Sequence, residues 1–380
     1  MKKRVFLLLA GGHALTDMYL NFLPALLPAM ASRLDLSMTL AGIAISGSLI
    51  AANLAQPVFG WFFDLRPSSR WLVWPVVLSG LFMCASVLST GYYIFLALIL
   101  LAGVANGAYH PAGSAYTYRI DPSKRGVLMS LFSSAGALGF ALGPVILAFA
   151  VDNWGLKSVF WTLGLVGLFA AGIAVARLSG FKPAPQKLDL RQVGAVFKGT
   201  VLLLTWVMIL RAWGHLVLSN YLVFYLEVVG YSYQTSATLL TWFLAVGAIA
   251  GIIAGKVSDF LGRTKVIVVS MLLSAVFAGL FLYSHGAWAV AFLLACGAAA
   301  HAPLPVMVVL CQEYLPQSVG IASGLSMGFA WGVGSLGALV NGIIADHWGL
   351  PASFWVAALI LLAGAVLATG LEMVRVVERV

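Results

Sequence analysis

Residues 152–161 read Asp-Asn-Trp-Gly-Leu-Lys-Ser-Val-Phe-Trp, and residues 346–355 read Asp-His-Trp-Gly-Leu-Pro-Ala-Ser-Phe-Trp, 194 positions later. The same offset carries Pro111 onto Pro305, Pro122 onto Pro316 and Gly126 onto Gly320, and an offset of 195 carries Gly60 and Asp64 onto Gly255 and Asp259. The chain is therefore two parallel copies of one unit. It is also 62% hydrophobic and only 9% charged, against about 25% charged in a soluble globular domain. No aqueous fold hides that much apolar surface, so lipid is the solvent. Parallel repeats of half the chain in such a protein indicate a two-bundle membrane transporter.

Apolar stretches run over 5–31, 38–62, 71–89, 92–118, 126–151 and 156–176, then over 200–229, 235–258, 264–284, 287–312, 318–345 and 351–374. Each suffices to cross a hydrocarbon core of about 30 Å, which takes roughly 20 helical residues. The expected fold is all-α and integral to the membrane: twelve transmembrane helices in two six-helix bundles related by a parallel repeat. The bundles occupy 1–178 and 200–380, joined by a linker at 179–199 that carries Pro183 and Pro185. Of the 21 Lys and Arg residues, 18 fall on one side of this topology. That side is cytoplasmic, with both termini on it, in a cell inner membrane. The net charge of +9 follows from this asymmetry and does not call for a nucleic-acid partner. Lys2-Lys3-Arg4 with Ala29-Met30-Ala31 imitates a signal peptide, but its removal leaves eleven spans and breaks the repeat, and an Asp is foreign to such a segment. Cys84, Cys296 and Cys311 are odd in number and lie within spans, so no disulfide framework or metal-ligand spacing is present. A monomer without cofactor or metal is expected.

Polar side chains within spans are costly and mark function. His13, Asp17 and Asn21 fall at i, i+4 and i+8 of the first span, on one helix face. Asn106, His110, Ser114 and Tyr118 repeat that pattern in the fourth span, Arg211, His215 and Ser219 in the seventh, and His301 stands beside Pro303 and Pro305 in the tenth. A central cavity satisfies all four stripes most simply. Asp17, with His13 and His110, is the candidate proton-coupling group, since burial and a neighbouring imidazolium push a carboxyl's proton affinity in opposite directions. Arg211 either locks onto Asp17 or receives an anionic group of the substrate. His215, Asn21, Asn106, Tyr118 and His301 complete the expected substrate-binding set. Trp206, Trp213 and Trp242 either stack on substrate or face lipid.

Two loops carry a shared pattern. Gly60-Trp-Phe-Phe-Asp64 with Arg66 and Arg70 joins spans two and three, and Gly255 through Asp259, Gly262, Arg263 and Lys265 joins spans eight and nine. Small residues allow close helix approach and the acid pairs with loop cations, so Gly60, Asp64, Arg70, Gly255, Asp259, Gly262 and Arg263 are read as gating-loop residues. This loop resembles the signature loop of the major facilitator superfamily. Gly136, Gly139 and Gly143-Pro144 in span five resemble the glycine-proline motif of drug:proton antiporters within it, and also suit ordinary close packing. The basic residue that those antiporters place early in span four is missing. The stretch His13 to Pro28, Tyr109-His110-Pro111 with Ser114, and Gln312 to Gly324 running on through Ala345-Asp346-His347 resemble the fosmidomycin-resistance family of exporters. Ala112 departs from the carboxylate that family tends to carry there.

The resemblance implies a proton-driven antiporter that exports a small, anionic drug or metabolite, such as a phosphonate antibiotic, by alternating access. The alternative is a proton-coupled symporter taking up an organic acid or sugar. A membrane-embedded enzyme finds no support, because Gly-x-Ser-x-Gly, His-Glu-x-x-His and Walker patterns are all missing and no residue is assigned a catalytic role. The expected partners are thus a small-molecule substrate, protons and the lipid bilayer.

Overall fold

A computed structural model describes residues 2–65, 68–121, 125–164, 199–315, 322 and 324–377. Arg66, Pro122, Lys124, the linker up to Lys198, Pro316 to Gly320, and Arg379 lie outside the described residues. The described elements are helical: α1 (Lys2–Leu20), α2 (Leu23–Leu34), α3 (Met38–Leu65), α4 (Trp74–Ala85), α5 (Tyr92–Ile120), α6 (Arg125–Trp154), α7 (Gly199–Asn220), α8 (Leu222–Val228), α9 (Tyr233–Leu261), α10 (Arg263–Tyr283), α11 (Gly286–His301), α12 (Pro303–Tyr314) and α13 (Ala330–Val377). Among the described residues, nine helical runs are long and apolar enough to cross a membrane. The longest, Leu325–Glu372, is two spans joined across Gly349, whose φ of 83° no helix accommodates. The first span divides into α1 and α2, and the sixth lies largely outside the described residues. The architecture is thus the twelve-helix one.

The interruptions follow from proline. Pro24 sits in the first turn of α2 and has no N–H to offer the carbonyl four residues back, so the first span breaks at Asn21–Phe22. Pro303 separates α11 from α12 in the same way. Pro144 lies inside α6 without ending it, which frees the Phe140 carbonyl from its helical partner.

Two compact units result. The first comprises Met1–Leu36, Gly47–Lys187 and Tyr231–Thr241, and the second Ser37–Ser46, Leu188–Gly230 and Trp242–Val380. In the first, α1 packs against α6, α4 and α5. Glycines make the α1–α6 seam close: a Cβ on Gly139 would strike the Ala14 carbonyl, and one on Gly143 would stand 2.8 Å from the Met18 carbonyl. In the second, α7 packs along α13 and α12, and Trp213 Nε1 donates to Asn341 Oδ1 at 2.8 Å across the α7–α13 seam. Many large apolar side chains remain exposed, Trp61, Tyr93, Trp206, Trp242 and Phe260 among them, as expected of helices whose outer faces meet lipid.

Candidate functional site

The first unit draws four of the expected residues into one cluster. His13 Nε2 stands 3.2 Å from Asp17 Oδ2, and His110 Nε2 stands 3.4 Å from Asp17 Oδ1. Asn106 Nδ2 donates to Asp17 Oδ1 and to the Thr16 carbonyl, both at 3.1 Å. His110 Nε2 also lies 3.3 Å from Asn106 Oδ1. Around them pack Phe132, stacked on His13 at 4.1 Å between ring centroids, and Tyr109. His13 and Asn106 are buried.

The positions of the hydrogens follow from the network. His13 Nδ1 lies 2.8 Å from the Phe132 carbonyl oxygen. A carbonyl only accepts, so Nδ1 carries the hydrogen. In a neutral ring Nε2 would then turn a lone pair toward a carboxylate oxygen at 3.2 Å, a repulsive contact. Because the Asn106 amide already donates twice, its Oδ1 is an acceptor and His110 Nε2 must be N–H. The cluster therefore calls for one hydrogen more than two neutral imidazoles and a carboxylate supply, and its place is between His13 Nε2 and Asp17 Oδ2.

The second unit builds a different cluster from the remaining candidates. Arg211 on α7 is 1% exposed. Its Nε donates to the Ala300 carbonyl at 2.9 Å, and its guanidinium stands 5.2 Å from the centroid of the Trp331 ring. Among the described residues, Nη1 and Nη2 have no hydrogen-bond partner, and neither does either ring nitrogen of His215. His301 stands edge-on to His215 at 4.1 Å, and Trp331 does so at 5.7 Å. Within the second unit, Arg211 forms no ion pair with any described residue. A guanidinium fork of this kind can pair bidentately with an oxyanion.

The repeat relates the two clusters. Adding 194 to 17 gives 211, and adding 194 to 106 gives 300. The contact between Asn106 and Asp17 in the first unit is thus matched by the contact between the Ala300 carbonyl and Arg211 in the second. One packing relation carries an acid in one copy and a base in the other.

The other expected residues lie apart from these clusters. Asn21 donates to the Phe140 carbonyl at 2.6 Å. Tyr118 is 48% exposed. Trp206 and Trp242 are exposed and face outward, while Trp213 is tied to Asn341. Trp331, which lines the Arg211 cluster, was not singled out by any sequence pattern, because it joins Arg211 only through tertiary packing. In the gating loop of the second unit, Arg263 pairs with Asp259 at 2.6 Å and with Glu313 at 3.2 Å, next to Gly262 at φ 94°. A Cβ on Gly255 would meet nothing, whereas one on Gly60 would touch Pro111 at 3.4 Å. Arg70 is exposed, in the short turn Ser69–Leu72. The Asp64 side chain lies outside the described residues.

Known proteins match this chain over nearly its whole length. The model of the Major Facilitator Superfamily matches residues 9–240 and 223–379. The fosmidomycin resistance protein of Escherichia coli K12 is 29% identical, covering 93% of this chain and 89% of its own. The multidrug resistance protein MdtG of Enterobacter lignolyticus is 24% identical over 88% of this chain and 82% of its own. Among solved structures, a bacterial homologue of the human lysosomal transporter Spinster superposes with a TM-score of 0.87 at 15% identity, covering 98% of this chain and 97% of that one.

Proposed function

Because the chain belongs to the Major Facilitator Superfamily and is a multi-pass membrane transporter, we propose that it is a proton-coupled antiporter exporting a small anionic compound by alternating access. The observation that carries this reading is the buried contact of His13 Nε2 with Asp17 Oδ2 at 3.2 Å, which one shared proton closes. A buried cluster that closes its hydrogen bonds with one shared proton has two states, loaded and empty, which differ by a charge inside a low-dielectric bundle. Loss of the proton leaves a carboxylate opposite an imidazole lone pair. The first unit is then driven to another arrangement, as a coupling step requires. Asp17 and His13 share the proton, and His110 and Asn106 hold Asp17 Oδ1 in place.

The bare guanidinium of Arg211, with His215 and His301 beside it, supplies the anion-binding half of the cycle. The names of two relatives, a fosmidomycin resistance protein and a multidrug resistance protein, support outward transport of a drug-like compound. The membrane is the cell inner membrane, with both termini cytoplasmic, and the unit limits at 178 and 200 follow the repeat.

The test has two parts. Cells lacking their own exporters are challenged with a growth-inhibition panel of phosphonates and carboxylates, with and without the protein. Proteoliposomes with an imposed pH gradient then give the direction of substrate flux. Protection from an anionic class, with flux opposite to proton flow, is the expected result. Accumulation of substrate along with protons would show a symporter instead, and an Asp17→Asn protein that still exchanges protons for substrate would overturn the coupling role.

A further inference from the structure

The His13–Asp17 pair is set by a single stripe on α6. His13, Asp17 and Asn21 lie opposite Phe132, Gly136 and Phe140, and each of the three pairs is separated by 119 positions in sequence. Two successive turns of α1 and the residue just past its end thus meet three successive turns of α6 in one register. At the top turn the Phe132 carbonyl takes the His13 Nδ1 hydrogen at 2.8 Å and so aims Nε2 at Asp17. At the middle turn a Cβ on Gly136 would stand 2.6 Å from His13 Nε2 and 2.7 Å from Asp17 Oδ2. Only the bare glycine leaves room for the two atoms to approach. At the bottom turn the Phe140 carbonyl takes the Asn21 amide at 2.6 Å. That carbonyl is available because Pro144, four residues on, has no N–H to occupy it.

We propose that Gly136 and Pro144 are positioning residues for the proton pair: Gly136 makes room for the shared proton, and Pro144 frees the carbonyl that fixes the register of α1. The glycine-proline sequence of α6 is then part of the proton site and more than a packing seam. This rests on the reading of His13 and Asp17 as the proton pair. The titratable groups that face His13 are Asp17 on its own helix and Tyr109 and His110 on α5; α6 presents Phe132 and Gly136 to it.

The experiment uses the full chain, labelled with ¹⁵N-histidine and reconstituted in lipid nanodiscs. The His13 ring resonances, assigned by their loss in His13→Gln, are followed against pH. Gly136→Ala separates Nε2 from Oδ2 and weakens their hold on the proton, so the midpoint falls by about one pH unit, tenfold in proton affinity. Gly11→Ala, on the helix of His13 itself but with open space around its Cβ, leaves the midpoint in place. Pro144→Ala and Asn21→Leu each lower the midpoint, and the double variant lowers it no further than either alone, because both act through the Phe140 carbonyl. A folded Gly136→Ala protein with an unmoved midpoint overturns the proposal. If that variant does not fold, additive shifts from Pro144→Ala and Asn21→Leu overturn it. The proton-flux measurement on Asp17→Asn stands separately: if it fails while the His13 shifts are seen, the positioning holds and the coupling role does not.

Discussion

Arg211→Met separates a cation that awaits a ligand from one that holds the fold together. Arg211 is 1% exposed, and removing such a charge from water costs several kcal/mol after relaxation. Against this stand one charged hydrogen bond to the Ala300 carbonyl, contributing about 1.5–3 kcal/mol, and the Trp331 contact, about 2 kcal/mol when desolvated. The two unpartnered terminal nitrogens contribute nothing, so the favourable terms at best cancel the desolvation. Methionine keeps most of the buried length and its contact with Trp331. The ligand-free Arg211→Met protein is therefore expected to unfold at the same temperature as the parent or slightly higher, a gain of zero to about 2 kcal/mol. A bound anion changes the comparison, since a ligand at a hundredfold its Kd stabilises by about 2.7 kcal/mol. That increment is present in the parent and lost in the variant. The assay is thermal unfolding in nanodiscs, with and without a panel of phosphonates and carboxylates. A ligand-free variant weakened by about 3 kcal/mol or more would refute the reasoning, because that is the penalty for breaking a buried ion pair.

Three further substitutions test the scaffold. Asp346 accepts hydrogen bonds from the backbone N–H groups of Met38 and Thr39 at 2.7 and 2.8 Å and from the Thr39 hydroxyl at 2.5 Å, so Asp346→Ala is expected to lower stability by about 1 kcal/mol, the loss typical of an N-terminal helix cap. Burial pushes the Asp346 carboxyl up, but the bonds from Thr39 and Met38 outweigh it and hold the carboxyl below its ordinary value of 3.8. The contribution is thus complete above that value and vanishes as pH falls through the lower, folded one, and acid unfolding curves of parent and variant converge there. Gly262 holds φ at 94°, where a Cβ is strained, and Gly262→Ala should lower the unfolding midpoint by the equivalent of about 1–2 kcal/mol. In Gly139→Ala the new methyl meets the Ala14 backbone carbonyl, which cannot turn aside as a side chain would, so a loss of about 3 kcal/mol or failure to express is expected, read from yield and melting.

The fold was legible in the sequence because membrane physics acts on composition and length. Apolar runs, the placement of Lys and Arg, and the recurrence of Asp-x-Trp-Gly each register without knowledge of contacts. The i, i+4 spacing likewise placed His13 beside Asp17 and Asn106 beside His110. The partners of these stripes were not legible, since they are set by inter-helix register. Asn21 and Arg211 read alike as polar residues in spans, yet Asn21 is satisfied by the Phe140 carbonyl while Arg211 keeps two nitrogens bare. Trp331 was hidden among many tryptophans for the same reason. Gly136 was visible as part of a motif, but its place against His13 Nε2 and Asp17 Oδ2 depends on which turn of α6 meets which turn of α1.

The asymmetry of the repeat supports the division of labour between the units. Positions 17 and 211 correspond, as do 106 and 300, so duplication preserved the approach of the fourth or tenth span to the first or seventh. Had both copies been kept for packing alone, similar neutral residues would serve in each. Instead the acid is surrounded by two imidazoles and an amide, with the contacts for one shared proton complete. The guanidinium has a single carbonyl and an aromatic face, with its fork unpaired. A fully satisfied cluster responds to proton loss, and an unsatisfied cation responds to anion arrival. The proposed exchange needs both sensitivities in one molecule, and the repeat places opposite charges at one position of a shared scaffold.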